Sequence, residues 1–294
     1  MSVAGYNRSG KGRLAIIAGS GLLPFYIAEA ARAAGENPFI AALKNDTGND
    51  WSGYDHVEIG VGDFAGLAAA FNGSGVDRVV LSGAVARRPE WREVRPTFRS
   101  LLKVHSVVRT LMSGGDDTVL RMVIQLIEAN GWQVLGAQDI APDLLATVGA
   151  VGDVQPNTDD QRDIRQAAEA ARMLGTLDVG QGAVSVGGRI VALEGVEGTD
   201  QMLTRVADLR AEGRISPRRR GVLVKLCKPQ QDLRADLPSI GVSTVLNAAK
   251  AGLAGIAVEA GRALILEREE VRRVADEAGL FVCGIDRGLP GGGL

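Results

Sequence analysis

Apolar and polar positions along this chain follow two different spacings. Short apolar runs at Leu14–Ala18, Pro38–Leu43, Val76–Leu81 and Trp132–Ala137 are bounded by glycine or polar residues. Their length and composition predict buried strands. Between them the spacing turns helical. An Ala-rich stretch runs to about Ala34 and is closed by Gly35, and further helices are expected over Asp63–Phe71, near Arg99–Met112 and over Asp116–Asn130. In the last of these Val119, Leu120, Val123, Ile124 and Ile127 recur at steps of one, three and four residues, and Gly131 follows as a cap. Repeated strand–helix units predict a parallel sheet covered by helices on both faces.

The periodicity weakens over Ala146–Asn157, which contains glycines and Pro156. That segment predicts a boundary, with domains at 1–147 and 148–294. Beyond it Thr158-x-x-Gln161 reads as a capping box, opening a helix with Ile164, Ala167, Ala168, Ala171 and Leu174 as its apolar stripe. Gly182–Val186 and Ile190–Leu193 predict a hairpin turning at Gly187-Gly188. Helices are expected over Thr199–Glu212, Val242–Ala251 and Glu269–Ala278, and strands over Gly221–Cys227 and Leu280–Gly284. Ile256–Glu259 and Ala263–Leu266 predict a second hairpin through Ala260-Gly261. The expected fold class is α/β: a parallel-sheet N-terminal domain and a C-terminal domain with a mixed sheet.

Composition narrows the function. The chain has 294 residues, 46% of them hydrophobic, which is ample for a core. A net charge of −2 argues against a broadly basic nucleic-acid binder. Cys227 and Cys283 are far apart, so neither a disulfide framework nor a thiolate zinc cluster is expected, and a reducing cytoplasm is. The two histidines, His56 and His105, are too few for a His-rich metal site and leave only a carboxylate-held hard cation. No apolar run approaches the roughly 18 residues of a membrane span.

Several clusters carry candidate chemistry, each beside a structural alternative. Gly19-Ser20-Gly21-Leu22-Leu23-Pro24 lies between a strand and a helix, where free N–H groups can hold a phosphate. Pro24 stands where a dinucleotide fingerprint has its third glycine, and a tight turn is the alternative. Ser82-Gly83 ends a strand, as ligand-binding loops of open sheets do, or is shaped only for the connection. Asp116 and Asp117 open a helix, where capping accounts for both and ligand binding is the second reading. Glu194, Glu197 and Asp200 could converge on Mg²⁺ or Mn²⁺, or support a helix start. The densest cluster is Lys225, Lys228, Asp232, Arg234 and Asp236, in a loop stiffened by Pro229 and Pro238. Phosphoryl chemistry needs such cations and acids together, and a charged surface loop is the alternative. The basic run of Arg214 and Arg218-Arg219-Arg220 suits an anionic surface or a solvated loop.

The chain resembles the UDP-2,3-diacylglucosamine pyrophosphatases (hydrolases) of lipid A biosynthesis, the family unrelated to calcineurin-like phosphoesterases. The resemblance rests on Ile16–Pro24, Gly115-Asp116-Asp117, Glu194–Asp200 and Lys228–Pro238 followed by Ile240-Gly241. It implies a Rossmann-like N-terminal domain, a C-terminal α/β catalytic domain and Mg²⁺-dependent cleavage of the pyrophosphate, with Mn²⁺ as a substitute ion. It further implies UMP and 2,3-diacylglucosamine 1-phosphate as products. On this reading Asp232 or Asp236 binds the metal or acts as base, with Glu197 and Asp200 as further metal ligands. Lys225, Lys228, Gln231 and Arg234 serve catalysis. Gly19, Ser20, Gly21, Leu22, Leu23, Ser82, Gly83, Asp116, Asp117 and Thr199 contact substrate. A cytoplasmic protein is implied, with room for peripheral contact with the inner membrane and for a homo-oligomer, and with no nucleic-acid partner. The competing classes are a non-catalytic nucleotide-sugar or lipid binder and a nucleotide-cofactor oxidoreductase.

Overall fold

The computed structural model describes residues 12–44, 48–85 and 116–286. The helix expected near Arg99–Met112, together with His105 and Gly115, lies outside them, and of Asp116 only the backbone is described. The chain divides into two compact units. One comprises the residues through Asp143 together with Asp232–Asp236, and the other comprises Leu144–Gln231 and the residues from Leu237 onward.

In the first unit β1 (Arg13–Ala18), β2 (Phe39–Leu43), β3 (His56–Ile59), β4 (Val76–Ser82) and β5 (Gln133–Leu135) form one parallel sheet. Their spatial order is β3-β2-β1-β4-β5. Helices α1 (Leu23–Ala33), α2 (Phe64–Gly73) and α3 (Asp116–Ala129) connect them, and the single turn α4 (Ala137–Ile140) follows β5. Every residue of β1 after Arg13 is buried, as expected for a central strand covered on both faces. Ala15 and Ile17 pack on Phe71 of α2 and on Ile124 and Ile127 of α3. The same core takes in Ala235, which anchors the short C-terminal segment of this unit. Strand order reverses between β1 and β4, the place in an open sheet where ligands bind at the carboxyl ends of the strands.

In the second unit β6 (Gly149–Ala150) precedes the long helix α5 (Thr158–Thr176). A five-stranded sheet then runs β13-β11-β9-β7-β8. Its members are β7 (Gly182–Val186), β8 (Arg189–Leu193), β9 (Val222–Lys225), β11 (Gly255–Glu259) and β13 (Phe281–Ile285). The last three are parallel, while β7 pairs antiparallel with β8 and β9. Helices α6 (Gly198–Ala211), α7 (Val242–Lys250) and α8 (Arg268–Glu277) cover one face through Met202, Leu203, Val245 and Val271. Helix α5 covers the other through Ile164, Ala167, Ala168 and Ala171. This topology brings the ends of β8, β9, β11 and β13 and the start of β7 to one edge.

Two sequence expectations need correction. The helix α5 is capped by Asn157, whose side chain accepts from the Asp160 N–H while Asp160 accepts from the Asn157 N–H, so the capping box sits one residue before Thr158. The segments over Ile256–Glu259 and Ala263–Leu266 do not form a hairpin. Both flanks of β11 are taken by β9 and β13, and β12 (Leu264–Ile265) pairs in parallel with β10 (Ser239–Ile240) instead.

Arg219 and Arg220 of the basic run tie down neighbouring backbone, as does Arg210 ahead of it. Arg210 donates to the carbonyls of Ala251, Ser216, Arg219 and Arg220. Arg220 donates to those of Leu253 and Gly279. Burial and the nearby Arg220 charge lower the Arg210 pKa. These cations satisfy loop carbonyls that would otherwise lack donors.

Buried Asp163 has the same role at the β7–β8 turn, accepting from Ser185 Oγ at 2.6 Å and from the N–H groups of Gly187 and Gly188. Replacing it strands three donors, so Asp163→Ala is expected to cost about 2–4 kcal/mol, a shift in the urea midpoint at unchanged slope.

Candidate active site

In the first unit the two glycine loops meet at the carboxyl ends of β1 and β4. Gly19 N–H donates to the Ser82 carbonyl at 2.8 Å, and Ser20 and Ala84 exchange backbone hydrogen bonds at 2.8 and 3.0 Å. Ser20 Oγ also donates to the Ala84 carbonyl at 3.1 Å. The approach is too close for side chains. A Cβ on Gly19 would collide with the Ala84 carbonyl, and one on Gly83, which has φ +86°, would lie 2.7 Å from the Ser20 carbonyl. Gly21 also has a left-handed φ but faces open space. Leu22 stands at the N-cap of α1 without a side-chain cap, and Pro24 follows in the first turn. The first-turn N–H groups beside Gly21 therefore have no side-chain acceptor, which is the arrangement that suits an anion. Ser82 Oγ, at the same strand end, is buried with no hydrogen-bond partner among the described residues.

Asp117, in the first turn of α3, is buried. One carboxylate oxygen pairs with Arg121, and the other is buried without a hydrogen-bond partner among the described residues. The returning segment contacts α3 through Arg234 and Glu128. There Asp232 accepts from the Arg234 N–H and Nε at 3.0 Å each and from Nη2 at 2.8 Å. Arg234 also reaches Glu128 Oε1 at 2.7 Å. The Arg234 hydrogen bonds hold the Asp232 carboxyl below the usual range, making it a poor base as it stands, and the same pair raises the Arg234 pKa. Asp236 is exposed.

In the second unit the predicted residues lie along the carboxyl edge of the sheet. Glu194, at the end of β8, accepts from Thr199 Oγ1 at 2.6 Å and from the Gln181 N–H at 3.3 Å. Glu197 pairs with Arg205 at 3.2 Å, and Asp200 accepts from Asn247 at 2.9 Å. Buried Lys225 donates to the Ser239 carbonyl at 3.1 Å. Lys228 pairs with Asp178 at 2.6 Å, and Gln231 Oε1 accepts from the Lys228 N–H at 3.1 Å. The cluster read as one loop in sequence is therefore divided, with Lys225, Lys228 and Gln231 in this unit and Asp232, Arg234 and Asp236 in the other.

Sequence reasoning missed Glu259, a buried carboxylate ending β11 that accepts from the Cys227 N–H at 3.1 Å. Its signal was available, since a lone acid closes an apolar run there. Arg121 and Asp178 were also missed. Their partners lie far away or on the next helical turn, where no motif points to them. Cys283 is buried, and burial pushes its thiol up to about 12, which leaves it unreactive.

Glu197, Asp200 and Asp232 are each engaged by an arginine or an amide. Among the described residues no group of three His, Cys, Asp or Glu side chains could hold a metal ion. Among the same residues no helix is long and apolar enough to cross a membrane.

Comparison with known proteins adds the family. Residues 13–144 match the LpxI N-terminal domain and residues 147–283 the LpxI C-terminal domain. The chain is 41% identical over 276 residues to the UDP-2,3-diacylglucosamine pyrophosphatase LpxI of Caulobacter vibrioides, covering 93% of this chain and 98% of the relative. An isoflavone reductase structure aligns at 11% identity, with 95% of this chain and 80% of the other covered and a TM-score of 0.27. A Thermus thermophilus UDP-glucose 4-epimerase with NAD aligns at 13% identity, with 93% and 86% covered and a TM-score of 0.30. Likenesses this weak carry no argument.

The Asp232–Arg234 pair makes stability depend on pH. The folded pKa of Asp232 lies below its unfolded value, about 3.9. Its contribution is complete above that value and is lost as pH falls through the lower, folded one. Asp232→Asn removes this dependence. In urea unfolding the gap between the parent and Asp232→Asn is expected to be full at neutral pH and to shrink below about pH 4. A constant gap across that range would exclude the linkage.

Proposed function

The chain belongs to the LpxI family, and from that premise we propose that it hydrolyses the pyrophosphate of UDP-2,3-diacylglucosamine in lipid A synthesis, releasing UMP and 2,3-diacylglucosamine 1-phosphate. A bond forms between the water oxygen and one phosphorus. The bond from that phosphorus to the bridging oxygen breaks, and the bridging oxygen leaves with the second phosphate. The observation that carries this reading is the match to both LpxI domains, in order, along the chain.

Within it the parts divide by chemistry. The uncapped start of α1, beside Gly21 and the unpartnered hydroxyl of Ser82, suits a phosphate of the nucleotide end. Asp117 offers a buried acceptor oxygen for a substrate N–H or O–H. Lys225, Lys228 and Arg234 are the cations for charge developing on phosphate oxygens. Lys228 and Arg234 would exchange their present carboxylate partners for the substrate. Gln231 fixes the Lys228 backbone. Exposed Asp236 is assigned the handling of water, since the Arg234 hydrogen bonds make Asp232 a poor base. Magnesium is expected from the resemblance, and Glu197, Asp200 and Asp232 would exchange their present partners to hold it. We place the reaction on the cytoplasmic side of the inner membrane.

The test is UMP release from UDP-2,3-diacylglucosamine in detergent micelles by the purified protein, with Mg²⁺ and with EDTA. Metal-dependent UMP is the expected result, and no UMP in either condition from folded protein would remove the hydrolase reading. Lys228→Met and Asp236→Asn are each expected to lower turnover about a hundredfold. Full activity in both Asp232→Asn and Asp236→Asn would overturn the site assignment.

A further inference from the structure

The peptide between Gly21 and Leu22 is the loosest link at the start of α1. On one side Ser20 is pinned to the loop after β4, where it exchanges backbone hydrogen bonds with Ala84. On the other side the Leu22 carbonyl accepts from the Tyr26 N–H at 3.2 Å and is fixed by the first turn of α1. Between them Gly21 has φ +92°, and a Cβ built there would meet nothing within 4 Å. Glycine imposes no steric choice at such a place, so this peptide plane is free to turn over while its neighbours stay where they are. The turn matters because a trans peptide points its carbonyl and its N–H in opposite directions. One orientation offers an anion a donor, and the other faces it with a carbonyl oxygen.

Asn49 decides between the two. Its Nδ2 donates to the Gly21 carbonyl at 2.8 Å, the one side-chain hydrogen bond to this peptide among the described residues. The bond holds the carbonyl toward the loop after β2 and leaves the Leu22 N–H turned away from that loop. Among the described residues the Leu22 N–H meets no acceptor, and α1 carries no acid in its first turn. The loop that bears Asn49 is itself tied to α1. Trp51 is buried, the Tyr54 N–H donates to the Trp51 carbonyl at 2.9 Å, and Arg32 of α1 donates to the Gly53 carbonyl at 2.8 Å and lies over the Tyr54 ring. Half-buried Asn49 is therefore a fixed tether. A second observation marks the same strand ends as a ligand seat: Ser82, only 8% exposed, has an Oγ with no hydrogen-bond partner among the described residues.

We infer that Asn49 is a positioning residue for the proposed reaction: it holds the Gly21–Leu22 peptide so that the Leu22 N–H is presented to a substrate phosphate. The inference deepens the proposed function and rests on its reading of the start of α1 as a phosphate seat. Asn49 acts through the peptide, without touching substrate. When the tether is removed the peptide samples both orientations, and affinity falls by the fraction of molecules that still present the N–H. The loss falls on binding of substrate and transition state alike, so it raises KM and leaves kcat in place.

The test compares the full-length parent with Asn49→Ala and Asn49→Asp, both of which remove the donor, the second at unchanged shape. The position is partly exposed, so the unfolding temperature is expected to stay within about 2 °C of the parent. In the micelle assay KM is expected to rise about tenfold, with kcat within about twofold of the parent. The direct readout is the Leu22 amide in a nitrogen–proton correlation spectrum, titrated with UMP and separately with glucosamine 1-phosphate. In the parent this signal is expected to shift downfield, and each variant to need about tenfold more ligand for the same shift. A shift with UMP places the nucleotide phosphate at Leu22, and a shift with glucosamine 1-phosphate alone places the sugar phosphate there; the role of Asn49 stands in both cases. A parent signal that ignores both ligands overturns the inference, as do variants that match the parent in KM and in the titration. A lowered unfolding temperature with kcat and KM both impaired also overturns it, by making Asn49 a structural residue only. A Leu22 response without UMP release from the diacylated substrate would leave the positioning role standing and remove the hydrolase reading, whereas UMP release by a protein whose Leu22 signal is silent would do the reverse.

Discussion

Parallel pairing of buried strands is the constraint on which the rest of this molecule depends. Strands that run the same way need a crossover after each one, and the crossovers cover both faces. Loops with freedom to meet are then left at the carboxyl edge. Both units obey this. In the first, the Gly19 and Gly83 loops meet where strand order reverses, at a separation only glycine permits. In the second, Glu194, Lys225 and Glu259 end adjacent or nearby strands on one edge, although β7 runs against its neighbours.

Polar satisfaction does the remaining work of fixing these loops. Asp163 holds the β7–β8 turn, Arg210 and Arg220 hold the loop ahead of β9, and Glu259 with Gln231 holds the chain as it leaves β9. Each is a charged or amide side chain serving backbone groups in low-dielectric surroundings, where an unpaired group is costly. Against that background the few buried side-chain atoms without partners are informative. Ser82 Oγ and one oxygen of Asp117 lie at the edge where a ligand would supply what the protein does not.

The segment Asp232–Asp236 shows how one stretch of sequence serves two bodies. Ala235 is buried in the first unit's core, and Arg234 bridges Asp232 to Glu128 of α3. Immediately before it, Lys228 and Gln230 are tied to the end of α5 in the second unit. The prolines at 229 and 238 bracket this passage and limit how the chain can redistribute.

Sequence alone determined the element types, the parallel first sheet, the mixed second sheet and the positions of the glycine loops. It could do so because strand and helix periodicities are local, and because a glycine at a strand end reports a local backbone need. It also supplied the blocks that mark the family. Tertiary structure alone decided that β12 pairs with β10 and not with β11, since that depends on both flanks of β11 being occupied. It decided that Asp232 pairs with Arg234, that Lys228 pairs with Asp178, and that Glu259 accepts from the Cys227 N–H. A charged side chain in sequence carries no record of its partner, because the partner is set by packing between residues distant in the chain. For the same reason the partners of the expected magnesium acids had no local signal: Glu197 pairs with Arg205, Asp200 with Asn247 and Asp232 with Arg234.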